Sequence, residues 1–110
     1  MMELAAQRCE ACTGDTPVLT SQEIDALRAQ IDDGWSVVDG HMLVRHLRFK
    51  DFRSAFARAS QIAEVAESEG HHPEMTIGWG HLDVELTTHA VSGLTNNDFI
   101  LAAKIDALAA

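Results

Sequence analysis

The longest regular pattern in the chain is an apolar stripe that runs through residues 51–69. Its members recur every three or four residues, so they share one face of an α-helix: Phe52, Ala55, Phe56, Ala59, Ile62, Ala63 and Ala66. Asp51 begins this helix, and Gly70 suits its C-terminal cap because glycine adopts the left-handed conformation at no steric cost. A helix with one apolar face must pack against a second element, so the rest of the chain has to supply a covering surface.

Strand-like segments lie on both sides of this helix. Residues 35–38 lead into Asp39-Gly40, a pair typical of a type I′ turn, and residues 42–49 form the return strand. After the helix, apolar residues alternate over 75–79 and again over 82–89, around Gly80-His81. Strands joined by such tight links are antiparallel.

Two capping patterns predict the remaining helices. Thr20 and Glu23 fit a capping box, which begins a helix over residues 21–32. Thr95 and Asp98 fit a second one, with aspartate in place of the usual glutamate. The element order is therefore α-β-β-α-β-β-α. It predicts an α+β fold, a four-stranded antiparallel sheet with helices on one face.

The length of 110 residues indicates one domain. We assign it to residues 20–110, after an N-terminal leader over residues 1–19 that lacks sustained periodicity and is expected to be flexible. The net charge of -9 argues against nucleic acid and anionic membranes as ligands. No apolar run is long enough to span a bilayer, and no secretory signal is evident, so we expect a cytoplasmic protein.

The leader contains both cysteines of the chain, Cys9 and Cys12. This pair is half of a zinc site, and no second Cys/His pair at matching spacing completes it. A thioredoxin-like redox pair would need a preceding strand and a helix that begins at the motif. We expect reduced thiols in a loosely held segment.

His71 and His72 lie in the loop after the long helix, followed by Pro73. Proline pushes the preceding residue into an extended conformation, in which adjacent side chains point to opposite faces. That geometry is poor for chelating one metal ion, so the pair is either surface decoration or part of an acid–base site. His89 has the parity of Asp83, off the apolar face of the last strand, so it is exposed or lines a cleft.

Two carboxylates and one tryptophan could support these histidines. Glu67 points along the apolar stripe at its C-terminal end, where it either reaches water or orients a histidine. Asp98 caps the last helix, and capping would also hold its carboxylate in place. Trp79 is expected in the core or as a cleft wall on which a flat heterocycle could stack. Because nucleophile elbows and phosphate-binding glycine loops are lacking, histidine acid–base chemistry is the remaining catalytic theme.

Taken together, these residues resemble the signature of the pterin-4a-carbinolamine dehydratase family. Gaps of three, five, nine and eight residues separate the members of the pattern, which are Glu67, His71-His72-Pro73, Trp79, His89 and Asp98. The segments Gly34-Trp35, Phe49-Lys50-Asp51-Phe52 and Leu86-Thr87-Thr88-His89 are also similar to family segments. The resemblance covers about residues 20–108.

The resemblance implies a dehydratase that removes water from a 4a-hydroxytetrahydropterin to give quinonoid dihydropterin, recycling the cofactor of aromatic amino acid hydroxylases. His71 and His89 would be the general acid/base pair, and His72 would bind or position the pterin. Glu67 and Asp98 would orient the imidazoles. Residues expected to contact the substrate are Pro73, Glu74 and Trp79.

The family's fold agrees with the predicted element order, and its members form dimers or tetramers. We therefore expect a homodimer or homotetramer, with no metal and no cofactor besides the pterin substrate. Other roles stay open: a non-catalytic dimerisation cofactor, an assembly chaperone, or a binder of another pterin. The intact histidine set favours the enzyme.

Overall fold

A computed structural model of the chain describes residues 3–11 and 13–108. Three α-helices and four strands follow one another in the predicted order: α1 (Ser21–Arg28), β1 (Ser36–Val38), β2 (Met42–Arg48), α2 (Phe52–Glu69), β3 (Glu74–Gly78), β4 (His81–Leu86) and α3 (Asn96–Ala107). Short 3-10 turns span Leu4–Ala6 and His89–Val91. The strands form one antiparallel sheet in the order β1-β2-β4-β3, so the predicted α+β fold is confirmed.

The local signals at turns and helix starts act as expected. Asp39 and Gly40 both have positive φ, at 53° and 72°, which is the requirement of a type I′ turn between β1 and β2. Thr20 and Glu23 exchange the two hydrogen bonds of a capping box, at 3.2 Å and 2.9 Å. Asp51 caps α2 by accepting from the Ser54 N–H at 2.8 Å, and hydrogen bonding from Ser54 lowers the pKa of that carboxyl.

Helix α1 is shorter than the predicted 21–32 because tertiary contacts take over its C-terminal end. The N–H of Asp32 donates to Asp106 of α3 at 2.9 Å instead of continuing the helix. Trp35, predicted to begin β1, instead precedes it and is almost fully buried. Its indole N–H also donates to Asp106, and so does the guanidinium of Arg45 from the core-facing side of β2.

The apolar stripe of α2 is narrower than predicted. Its buried members are Ala55, Ala59, Ile62 and Ala66, whereas Phe52 and Phe56 are 48% and 54% exposed and Ala63 is also exposed. At 100° per residue, these three outer residues lie on a line rotated by roughly 70° from the buried one. The sheet and α3 cover the alanine line, so the phenylalanines of a single chain face solvent.

Two predicted strand bounds in the second hairpin are wrong, because both strands end earlier than expected. Trp79 is not in the core: Gly78 and His81 pair across the hairpin, which leaves Trp79 and Gly80 as a two-residue turn with Trp79 75% exposed. β4 also ends at Leu86, before His89, because the backbone of Thr88 turns to pair with Gly93.

The described part of the leader lies against the folded domain. Leu4 is buried in the core, and the ammonium of Lys104 in α3 donates to the carbonyl of Ala5 at 2.8 Å. Cys12 falls outside the described residues, so the expected roles of the cysteine pair stay predictions. The boundary at residue 20 also stays a prediction.

Candidate active site

A cavity of about 270 Å³ lies where the C-terminal end of α2, the segment after β4 and the start of α3 meet. All three candidate histidines line it, and the full lining comprises Glu10, Gly70, His71, His72, Thr87, Thr88, His89, Ala90 and Asn97. Its volume is just below the range of typical ligand clefts, roughly 300–1,000 Å³. A cavity of this size suits a small molecule of one or two rings. A groove of about 400 Å³ beside the leader has no histidine in its lining. The histidine cavity is therefore the candidate site.

His71 is delivered to this cavity by the end of α2. Gly70 adopts φ 68° at the C-cap, and the N–H groups of Gly70 and His71 both donate to the carbonyl of Ala66. The imidazole then turns inward, where its Nε2 lies 2.6 Å from Oδ1 of Asp98. The side chain of His71 is 11% exposed and that of Asp98 is fully buried. A carboxylate accepts hydrogen bonds, so Nε2 carries a proton, and in a neutral imidazole Nδ1 would then hold the lone pair.

Asp98 is held from its other oxygen. Oδ2 accepts from the hydroxyl of Thr88 at 2.7 Å and from the N–H of Thr95 at 3.0 Å. The hydroxyls of Thr88 and Thr95 are also within 2.9 Å of each other. One carboxylate therefore caps the N-terminus of α3 and also contacts the imidazole of His71. The expected role of Asp98 in orienting that imidazole stays a prediction.

His72 points away from His71, as the proline-restricted extended backbone predicts. Its Nε2 pairs with Oε2 of Glu67, and both side chains are largely exposed. Glu67 thus reaches a histidine, as its position at the end of the stripe allowed, and the partner is His72 rather than His71. The pair forms the outer rim of the site.

His89 approaches from the opposite segment. It begins the 3-10 turn His89–Val91, where the N–H of Ser92 donates to its carbonyl at 3.2 Å. The side chain is exposed and lines the cavity, in agreement with its predicted position off the core face. His71 and His89 therefore belong to one cavity although they come from different loops.

Three residues expected to contact substrate lie outside the cavity lining. Pro73 is half-buried between His72 and β3, and Glu74 begins β3 with its side chain exposed. Trp79 is at the far end of that strand, in the turn to β4. The single chain does not bring these side chains to the histidines, so their role in substrate binding stays a prediction.

Six lining residues were not identified from the sequence as site residues, and four of them have polar side chains. Thr87 and Thr88 come with the segment that carries His89, and the sequence signal for them was the resemblance of that segment to the family. Glu10 and Asn97 come together across 87 positions of sequence, where no periodicity could have paired them. Among the described residues, no three His, Cys, Asp or Glu side chains converge to hold a metal ion.

The arrangement can move protons. His71 has one nitrogen fixed on a buried carboxylate, which leaves the other nitrogen to give or take a proton. His89 supplies a second imidazole in the same cavity, and a pair of such groups can serve as acid and base in one step.

No helix within the described ranges is long and apolar enough to cross a membrane.

Comparisons with known proteins show which proteins the chain resembles in sequence and in fold. Residues 17–108 match the sequence model of the family described as Pterin 4 alpha carbinolamine dehydratase. The "Putative pterin-4-alpha-carbinolamine dehydratase" of Rubrobacter xylanophilus is 43% identical over 108 residues, which cover 98% of this chain and all of that protein. The protein of the same name from Alkaliphilus metalliredigens is 41% identical over 106 residues, 96% of either chain. The crystal structure of a transcriptional coactivator/pterin dehydratase from Brucella melitensis superposes with a TM-score of 0.79 at 38% identity, covering 86% of this chain and 100% of that one.

Proposed function

The chain belongs to the pterin 4 alpha carbinolamine dehydratase family, and from this premise we propose how its own residues carry out the reaction. The substrate is a 4a-hydroxytetrahydropterin, and the products are quinonoid dihydropterin and water. The C4a–O bond breaks, the N5–H bond breaks, and a C4a=N5 double bond forms. Only protons move between protein and substrate, so the reaction needs no cofactor besides the pterin itself.

We propose that His71 and His89 are the acid–base pair. The observation that carries this assignment is the His71–Asp98 contact, because a buried carboxylate at 2.6 Å fixes the tautomer of the imidazole. Nδ1 of His71 is then the lone-pair nitrogen that can accept the N5 proton. His89, on the facing segment, protonates the departing hydroxyl. After release of water, proton exchange with solvent restores both imidazoles.

His72 binds and positions the pterin in this scheme. Its pairing with Glu67 on the exposed rim supports a role in holding substrate rather than in proton transfer. Glu67 orients His72, and Asp98 orients His71. Each carboxylate therefore acts through one histidine.

The product suits a reductase that regenerates tetrahydropterin, so the enzyme serves the recycling of the cofactor that aromatic amino acid hydroxylases consume. We place this activity in the cytoplasm, where such hydroxylases and reductases would share the pterin pool.

The assembly is proposed to be a homodimer or homotetramer. Phe52 and Phe56 leave a continuous apolar patch on the outer line of α2, and a monomer rarely leaves two such side chains half exposed side by side. A second copy of the chain would cover this patch symmetrically. Sedimentation of the wild type and of Phe56→Ser tests this: the variant should shift toward smaller species.

The decisive experiment supplies the adduct by turnover of a phenylalanine hydroxylase and follows the rise of quinonoid dihydropterin. The wild type should accelerate dehydration well above the spontaneous rate. A folded protein that leaves the spontaneous rate unchanged would remove the proposed function.

A non-catalytic role as a dimerisation cofactor or assembly chaperone is the second candidate. The exposed phenylalanine patch on α2 favours it, because the same surface could receive a partner helix, and the Brucella protein is named as a transcriptional coactivator as well as a dehydratase. A wild type that is inactive yet binds a partner through this patch would support that role. A wild type that binds a pterin without dehydrating the adduct would indicate a binder of another pterin.

A further inference from the structure

The leader supplies one wall of the histidine cavity. Residues 8–10 run across the end of α2 and the start of α3, and Glu10 is among the cavity-lining residues. Arg8 pairs with Glu69 at 3.1 Å, and the N–H of Cys9 donates to the same carboxylate at 2.8 Å. The hydrogen bond from Cys9 lowers the pKa of Glu69. The carboxylate immediately before Gly70 and His71 thus holds the leader.

A second anchor fixes Glu10 itself. The side-chain amide of Asn97 accepts from the N–H of Glu10 at 3.0 Å and donates to its carbonyl at 2.6 Å. Asn97 is buried and directly precedes Asp98, the carboxylate that orients His71. The backbone of Glu10 is therefore held beside the residue that precedes Asp98. Glu10 is an exposed residue and lines both the histidine cavity and the groove beside the leader.

The chemistry of the lining makes Glu10 distinctive. Among the described lining residues it is the only acid. The neighbouring hydroxyls already have acceptors: that of Thr87 donates to the carbonyl of His41 at 2.6 Å, and that of Thr88 to Asp98. A ligand edge that carries two N–H donors would meet its complementary acceptor at Glu10.

A pterin has such an edge. Its N3–H and 2-amino groups lie side by side on the pyrimidine ring, and two parallel N–H donors match the two oxygens of one carboxylate. Neither group is bonded to C4a, the ring-fusion carbon, or to N5 in the second ring. We propose, building on the dehydratase function above, that Glu10 is a substrate-binding residue that accepts these two hydrogen bonds. The leader then sets specificity for 2-amino-4-oxopteridines while the histidines act at C4a and N5.

The specificity test compares two non-reacting probes, pterin and lumazine. In lumazine a carbonyl oxygen replaces the 2-amino group, so it would face the carboxylate of Glu10 with an acceptor. The wild type should bind pterin more tightly than lumazine by titration calorimetry. Preference is measured as the Kd for lumazine divided by the Kd for pterin. Glu10→Gln should lower this ratio about tenfold, because the amide can donate to the 2-carbonyl of lumazine and lacks the charged acceptor for pterin. Glu64→Gln, an exposed glutamate on α2, is the matched control and should leave the ratio unchanged.

Turnover gives an independent readout. Glu10→Gln should raise KM for the 4a-hydroxytetrahydropterin about tenfold, with a much smaller change in kcat, because the contact lies away from the reacting atoms. A wild type that dehydrates the adduct, together with a variant whose KM and probe ratio match it, would refute the role of Glu10 alone. A folded wild type that neither binds pterin nor accelerates dehydration would refute the dehydratase proposal, and the role of Glu10 with it.

Discussion

Replacing Asp98 by asparagine should disable the acid–base step while keeping the fold. The carboxylate accepts from Nε2 of His71 on one oxygen, and from Thr88 and Thr95 on the other. An amide has a single oxygen, which will remain with the two donors at the start of α3. Its NH₂ group then faces His71, and Nε2 must become the acceptor. The imidazole proton moves to Nδ1, so the nitrogen toward substrate loses its lone pair.

The magnitudes follow from this switch. One charge-assisted hydrogen bond becomes a neutral one, which should cost about 1–2 kcal/mol of unfolding free energy. For a domain of this size that corresponds to a fall in Tm of very roughly 4–16 °C. The rate should fall much more, by about 10²–10⁴, since a general base contributes on that order.

The assay measures kcat for the 4a-hydroxy adduct beside a thermal melt of the same preparation. Asp25→Asn, on the exposed side of α1, removes an aspartate of the same charge away from the cavity and should match the wild type. A folded Asp98→Asn protein with kcat within twofold of the wild type would show that the tautomer of His71 does not matter.

Three further changes test the supports of the site. Thr88→Val removes a buried hydroxyl donor to Asp98 with little change in volume, so it should cost about 1–2 kcal/mol in urea unfolding and lower kcat severalfold. The hydrogen bond from Cys9 lowers the pKa of Glu69 from 4.5. The ionised carboxylate therefore stabilises the folded protein above pH 4.5, and this contribution is lost as the pH falls through the lowered folded-state pKa. Glu69→Gln should flatten the decline in unfolding free energy measured between about pH 6 and pH 3. Gly70→Ala should lower the unfolding free energy by about 1 kcal/mol and Tm by several degrees. The cost is that of a non-glycine residue at φ 68°, since the added Cβ meets no neighbouring atom.

Each of these three results has a contrary outcome. Unchanged stability and kcat in Thr88→Val would mean that Asp98 does not need that donor. If the unfolding free energies of the wild type and Glu69→Gln fell in parallel with pH, the loss of stability in acid would come from groups other than Glu69. A Gly70→Ala protein as stable as the wild type would mean that the end of α2 relaxes without cost.

The sequence predicted those features that depend on local chemistry. The capping box at Thr20, the positive-φ turn at Asp39-Gly40 and the glycine cap at residue 70 each involve neighbours within four positions, so residue type alone indicates them. The capping role of Asp98 also follows from local chemistry. Helix geometry placed Glu67 along the apolar stripe, whereas its side chain is largely exposed at the end of α2. What geometry could not decide was which histidine each carboxylate would meet.

The failures come from packing between distant segments. Phe52 and Phe56 fit an apolar stripe, but the width of the surface that covers α2 decides which part is buried. Trp79 has strand parity, yet the pairing of Gly78 with His81 places it in a turn. The clamp between Glu10 and Asn97 depends on a leader that has no periodic pattern of its own.

The most direct test of the account compares the wild type with His71→Ala, His89→Ala and the double variant in the hydroxylase-coupled assay. His89 is exposed, so its loss should leave the fold intact, and circular dichroism checks this for every protein. We predict that each single variant loses most of the acceleration and that the double variant returns to the spontaneous rate of dehydration. A folded double variant that retains the wild-type rate would contradict histidine acid–base catalysis in this cavity.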